Sequence, residues 1–240
     1  MQGRPLVCIG LGGICEGYLP HLLLLHETGI VRFKTMCLVD GKCFREDSKT
    51  RQHFHGLRSK AVDRCETWRE VYQNAPLRHL EEYVGKDNVA EIVTDGSIVF
   101  LSPDNHATRK VVSDHAETLR DILLTTGSND GIEEGSGGTE GVVIVHWKRD
   151  GRDMTAPITK YHPEIAAPAD PRLPTQVGCL ELARSVPQLL ATNLLVGHAM
   201  VQMLMRYVLM SPEEAVQVVE FGVNTRDGSL VPYGIHERRP

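Results

Sequence analysis

The sequence has no Cys-x-x-Cys pair: its six cysteines, Cys8, Cys15, Cys37, Cys43, Cys65 and Cys179, are scattered along the chain. A zinc ribbon and a dithiol redox motif both need paired thiols, so neither is expected. Four of the six, Cys8, Cys15, Cys37 and Cys65, stand in apolar or helical contexts typical of reduced interior thiols, which points to a reducing compartment. The opening residues lack a basic segment followed by a long apolar run, and the expectation is a cytoplasmic protein. The longest apolar-rich stretch, residues 189–210, is interrupted by Asn193, His198, Gln202 and Arg206, which suits a buried helix rather than a membrane span. A formal net charge of −5 gives no global electrostatic reason for a nucleic acid or membrane partner, and neither is expected. His21, His26, His53 and His55 have no cysteine or carboxylate at metal spacing, and Ser185 lacks a Gly-x-Ser-x-Gly frame, so a histidine-built metal site and a serine hydrolase gain no support. No internal repeat is present.

What is there suits an α/β protein. With 240 residues, 41% of them hydrophobic, the chain can bury a substantial core. The run Pro5-Leu6-Val7-Cys8-Ile9 predicts a strand, residues 16–25 a helix, and residues 33–39 a second strand ending at Asp40, together a βαβ unit. Continuous apolar strands of this kind predict a parallel sheet buried on both faces. A helix over 59–72, a short strand over 77–80, a polar helix through Lys86 and Asn88, a strand over 97–101, a helix over 107–120 and a strand over 122–125 follow. Residues 126–141, rich in Gly, Ser, Asn and Glu, read as a mobile loop or wide turn before a strand over 142–147. Residues 150–175 read as an irregular crossover, residues 186–209 as a helix, and residues 220–240 as a strand-turn-strand piece around Arg226-Asp227-Gly228. The expected fold is α/β, a Rossmann-like mostly parallel sheet with helices on both faces, extended by a C-terminal strand and helix portion. It forms a single domain over 1–240, its nucleotide-binding half about 1–125 and its partner-facing half about 126–240.

The turn Gly10-Leu11-Gly12-Gly13 falls between the first strand and its helix, where residues without Cβ let a phosphate approach backbone N–H groups and the positive end of the helix dipole. Asp40, at the tip of the second strand, is placed to accept hydrogen bonds from ribose hydroxyls. These two features imply an adenine nucleotide, with NAD, FAD, S-adenosylmethionine and ATP all compatible.

The next residues narrow the choice. Asp40-x(10)-Arg51-Gln52, then Lys60-Ala61, Asn74-Ala75-Pro76, Asp104-Asn105 with Arg109, Thr125-Thr126-Gly127 and Gly178-Cys179 resemble, in order, the signature elements of the ThiF/MoeB/HesA superfamily, the ubiquitin-activating-type adenylyltransferases. The resemblance covers approximately residues 5–208. It implies an ATP-dependent adenylyltransferase that activates the C-terminal carboxylate of a ubiquitin-like or sulfur-carrier protein ending in glycine, and a homodimer. By the same resemblance, Gly10, Gly12, Gly13, Asp40, Arg51, Gln52, Lys60, Asp104 and Asn105 bind ATP. Arg51 and Lys60 neutralise its phosphates, Asp104 holds Mg²⁺, and Cys179 is the candidate nucleophile for thioester or persulfide chemistry. Asn105 also reads as a helix N-cap, and Arg109 as a solvent-facing helix residue or a partner in a structural salt bridge.

Several positions depart from the pattern. Cys15 stands where a third glycine of the turn belongs, with Gly17 two residues on, so its side chain is expected to narrow the pocket or press the helix from the strand. Lys42 replaces the usual second aspartate, and Asp47-Ser48 replaces a Ser-Asn pair. The chain begins at the first strand, without the family's preceding arginine-bearing helices, and the zinc clip is absent. These departures support an alternative, a catalytically degenerate relative acting as a binding or scaffold partner. An NAD-dependent oxidoreductase ranks last, because it leaves Arg51, Lys60 and Asp104-Asn105 without a shared purpose.

Overall fold

The computed structural model describes residues 2–46, 49, 52–132, 137–177 and 188–234. Strand β1 (Arg4–Ile9) enters the glycine turn and helix α1 (Gly13–Glu27), and the chain returns as β2 (Phe33–Val39), the expected βαβ unit. Helix α2 (Lys60–Val71), β3 (Leu77–Leu80), a single turn α3 (Val89–Ile92), β4 (Ile98–Leu101), α4 (His106–Thr118) and β5 (Ile122–Asn129) continue the alternation. These five strands are parallel, in the order β3-β2-β1-β4-β5.

Beyond β5 the sheet turns antiparallel. Strand β6 (Glu140–Arg149) pairs with β5, with the two-residue β7 (Arg152–Asp153) and with β8 (Glu220–Asn224), and β9 (Ser229–Tyr233) forms the far edge. A crossover carrying the single turns α5 (Ile158–Tyr161) and α6 (Pro163–Ala166) precedes the long helix α7 (Leu190–Leu209), and the turn α8 (Pro212–Ala215) leads into β8. Among the described residues no helix is long and apolar enough to cross a membrane.

Strand side chains alternate between two apolar layers because successive Cβ atoms point to opposite faces. Leu6, Cys8, Met36 and Leu38 pack with Tyr18, Leu22, Met200 and Leu204 under α1, α2 and α7. Val7, Ile9, Cys37 and Val39 pack with Val112, Ile92, Ile158 and Ile165 under α3, α4 and the crossover turns. Helices α1 and α7 cross closely enough that a Cβ on Gly197 would lie 2.4 Å from the Ile14 carbonyl oxygen, and one on Gly17 would lie 2.6 Å from that of Leu194. Only the missing side chains allow this approach, and it seats α7 over the start of α1.

Two local expectations are corrected. Residues 126–141 are not a loop throughout. β5 runs on to Asn129 and β6 starts at Glu140, paired in register from Ile122↔Lys148 to Asn129↔Gly141, because Thr126 and Gly127 are buried and the antiparallel partner satisfies their backbone groups. Residues 81–88 form no helix: the Asn88 side chain accepts the Gly85 N–H at 2.9 Å and donates to the Tyr83 carbonyl at 3.1 Å, and helix begins only at Val89. Helix α7 starts at Leu190, and the earlier start expected at Val186 lies outside the described residues.

Candidate functional site

The strand order reverses between β1 and β4, and the carboxyl ends of these two parallel strands lie side by side there, β1 running into the glycine turn. Open α/β sheets bind ligands at this edge. Gly10 has φ +85°, and a Cβ there would lie 2.6 Å from the Pro103 nitrogen, so glycine is needed both for the backbone turn and for contact with the segment after β4. The Ser102 hydroxyl donates to the Gly10 carbonyl at 2.8 Å, tying the two segments. At Gly12, by contrast, nothing described lies within 4 Å of where a Cβ would stand, so the helix N-terminus is open at this point. A Cβ at Gly13 would lie 2.2 Å from Asn193 Nδ2, so this glycine makes room for a side chain of α7 as well as serving the turn.

Asp40 closes the turn. Its Oδ2 accepts the Leu11 N–H and its Oδ1 the Lys42 N–H, each at 2.8 Å. Asp104, in the segment after β4, is ion-paired with Lys42 at 2.5 Å. Burial alone would raise the Asp104 carboxyl; Lys42 and then Lys60 outweigh it and hold the group below the usual carboxylate range. Asn105 caps α4, its Oδ1 accepting the Thr108 N–H at 2.7 Å.

Lys60 opens α2 after Ser59, whose hydroxyl oxygen accepts the Val62 N–H. Its side chain is 8% exposed, with its ammonium 5.4 Å from the Phe44 ring centroid, and it makes no ion pair among the described residues. Burial pulls its pKa down, and the charge of Asp40 partly restores it. One helical turn later Arg64 lies on the same ring at 5.1 Å and pairs with Glu16 of α1, which also accepts the His53 N–H at 2.8 Å. Phe44 in turn stacks on Phe54 with centroids 4.5 Å apart. Gln52, just before His53, is buried with its Oε1 unpartnered, and Asn193 Nδ2 is buried and unpartnered beside the glycine turn.

The structure thus brings together Gly10, Gly12, Gly13, Asp40, Lys60, Asp104 and Asn105. Arg51 and Cys179 lie outside the described residues, as do Asp47, Ser48, Gly178 and Ser185. Arg109 is not solvent-facing, and it makes no salt bridge among the described residues. It is 4% exposed and donates to Thr126 Oγ1, to the Pro103 carbonyl at 2.8 Å and to the Gly127 carbonyl at 2.8 Å, and burial lowers it to about 10. It fixes the Asp104 segment to the end of β5. Cys15 does not narrow the turn. It is 1% exposed in the apolar layer beneath α1, where burial raises its thiol to about 12.

Sequence reasoning missed Phe44, Arg64, Glu16 and Asn193. Arg64 stands four residues after Lys60, a spacing that shares a helix face, and Asn193 interrupts an apolar run, so both left a signal. Phe44 and Glu16 left none, since only the tertiary fold brings the segment after β2 and α1 to α2.

A divalent metal does not fit this donor set. Among the described residues no three His, Cys, Asp or Glu side chains gather to hold a metal ion. The expected ligand Asp104 already faces an ammonium, and both oxygens of Asp40 accept backbone N–H groups.

No protein-family profile and no curated protein matches the chain by sequence. Solved structures match it by fold. PaaA superposes with a TM-score of 0.64 at 12% identity, over 97% of this chain and 64% of that one. E. coli MccB with ATP matches at 0.67 and 11% identity, over 100% and 65%. The microcin C7 biosynthetic enzyme MccB in complex with N-formylated MccA matches at 0.68 and 11% identity, over 99% and 66%. The chain spans just under two thirds of the length of these proteins, and at such identities the likeness is one of fold. From the glycine turn to the antiparallel extension, the chain shares the fold of PaaA and MccB.

Proposed function

We propose that this chain binds ATP at the reversal of its strand order and adenylates the C-terminal carboxylate of a polypeptide, a ubiquitin-like or sulfur-carrier protein ending in glycine. The observation that carries the reading is Lys60, a buried cation without an ion pair among the described residues, on the edge that holds the open helix N-terminus at Gly12. Such a charge calls for an anion, and a phosphate chain between Gly12 and Lys60 would meet donors from both. MccB, of the same fold, has been crystallised with ATP and with MccA, which supports a nucleotide and a polypeptide as ligands.

In the proposed reaction a carboxylate oxygen attacks the α-phosphorus, the bond from that phosphorus to the bridging oxygen breaks, and pyrophosphate leaves. No proton moves, so the protein's task is orientation and charge neutralisation. Gly10, Gly12 and Gly13 line the backbone cradle, Asp40 and Gln52 contact the nucleoside, and Lys60 and Arg51 meet the phosphates. Cys179 is the proposed thiol for later carrier chemistry, and a homodimer the proposed assembly. Charge neutralisation falls to Lys60 and Arg51, because the residues around Asp104 do not suit Mg²⁺.

Calorimetric titration with ATP and ATP–pyrophosphate exchange in the presence of a candidate carrier test the reading. Binding with carrier-dependent exchange supports it; absence of binding overturns it. The Lys42–Asp104 pair favours a second reading, a relative that binds nucleotide without turnover. Binding with no exchange alone or with any carrier would select it.

A further inference from the structure

The departure at Lys42 has a structural counterpart. Its backbone is held at both ends by the site: the Lys42 N–H donates to Asp40 Oδ1 at 2.8 Å, and its carbonyl accepts the Lys60 N–H at 3.0 Å. From this anchored position the side chain reaches Asp104, placing Nζ 2.5 Å from Oδ2. Lys60 completes a set of two ammonium groups and two carboxylates, Asp40 and Asp104, that act on one another electrostatically. A dication bound to Asp104 would lie against both ammonium groups with no second free carboxylate beside it, the reverse of the oxygen-rich, anionic surroundings that Mg²⁺ takes. An ammonium has three N–H donors, so it can hold Asp104 and still donate to a phosphate oxygen, the bridging task usually left to a metal.

We propose that Lys42 takes the place of the divalent metal, so that this chain binds ATP as the metal-free anion, with Lys42 bridging Asp104 to the phosphate chain and Lys60 meeting the remaining charge. The inference rests on the nucleotide reading above and differs from it in the species bound. It makes Lys42 a determinant of specificity, since Mg²⁺-loaded ATP would bring a second cation to an occupied position.

The test is calorimetric titration of the wild-type chain with ATP in EDTA and, separately, in millimolar Mg²⁺, beside Lys42→Asp under the same two conditions. Wild-type affinity in EDTA is expected to equal or exceed that in Mg²⁺, whereas Lys42→Asp is expected to lose about tenfold or more in EDTA and to regain it with Mg²⁺. Wild-type binding that weakens about tenfold or more when the metal is removed overturns the inference and leaves the nucleotide reading intact. No binding in either buffer overturns both. Electron paramagnetic resonance of Mn²⁺ with wild-type chain and ATP gives an independent readout should Lys42→Asp fail to fold. Mn²⁺–ATP that stays free of the protein is the expected result, and a protein-bound Mn²⁺ signal lost in Asp104→Asn overturns the proposal.

Discussion

Two regions of this molecule bury charge to the same depth and use it differently. Where the crossover meets β8, His162 is 8% exposed and lies between Glu164 and Glu220, its Nδ1 2.8 Å from the first and its Nε2 2.9 Å from the second. At the carboxyl edge of the parallel strands, Lys60 is also 8% exposed, yet its ammonium lies by the Phe44 ring and makes no ion pair among the described residues, feeling Asp40 and Asp104 only through space. Burial lowers the pKa of both side chains. At His162 the hydrogen bonds to Glu220 and Glu164 overcome it and the pKa ends above the ordinary value, while at Lys60 it ends below. A buried charge whose partners are complete ties elements together; one without a counter-ion is a demand that a ligand can meet.

Removing each group in turn breaks this comparison. The largest effect is expected for His162→Ala, which strands the Glu220 carboxylate: a stability loss of about 3 kcal/mol by denaturant unfolding, with ATP binding unchanged. The same contact carries a pH signature. Because the folded-state pKa of His162 lies above 6.5, its charged contacts stabilise fully below that pH, and the contribution fades as pH rises through the folded value. Unfolding free energy of the wild type should fall across that window relative to His162→Gln.

Next in size is Gly197→Ala, whose methyl would press on the Ile14 carbonyl; overpacking of this kind costs about 2 kcal/mol and should lower Tm. Lys60→Met should do the opposite of His162→Ala, leaving Tm nearly unchanged and weakening ATP binding by about tenfold in calorimetry. If Lys60→Met instead lowers Tm by several degrees or more with affinity intact, the contrast between the two regions is wrong. Smallest is Asn105→Ala, expected to cost about 1 kcal/mol through loss of the α4 cap.

Much of the parallel half was legible in sequence because each of its elements is locally encoded. The apolar runs at β1, β2 and β4, the glycine turn and the cap at Asn105 all announce themselves within a few residues. The antiparallel half was less legible. Thr126 and Gly127 are polar or small, and they belong to a strand only because β6 pairs with both, while β4 pairs with Thr126 on the other side. Arg109 shows the same limit within the site. On the helix it was indistinguishable from a solvated arginine, and it is buried because three acceptors converge on it from β5 and the Pro103 segment.

The sequence by itself determined the alternation of strand and helix, the place of the glycine turn and of Asp40, and the departure at Lys42, since period, turn chemistry and residue identity are local properties. Only the tertiary structure decided that Cys15 belongs to the core, that Gly17 and Gly197 exist for a helix crossing, that Phe44 carries both Lys60 and Arg64, and that Lys42 reaches Asp104. Lys42 and Asp104 are separated in sequence by two strands and two helices, α2 with β3 and the single turn α3 with β4. Their contact follows from the order in which parallel strands stack, and no local pattern encodes that order.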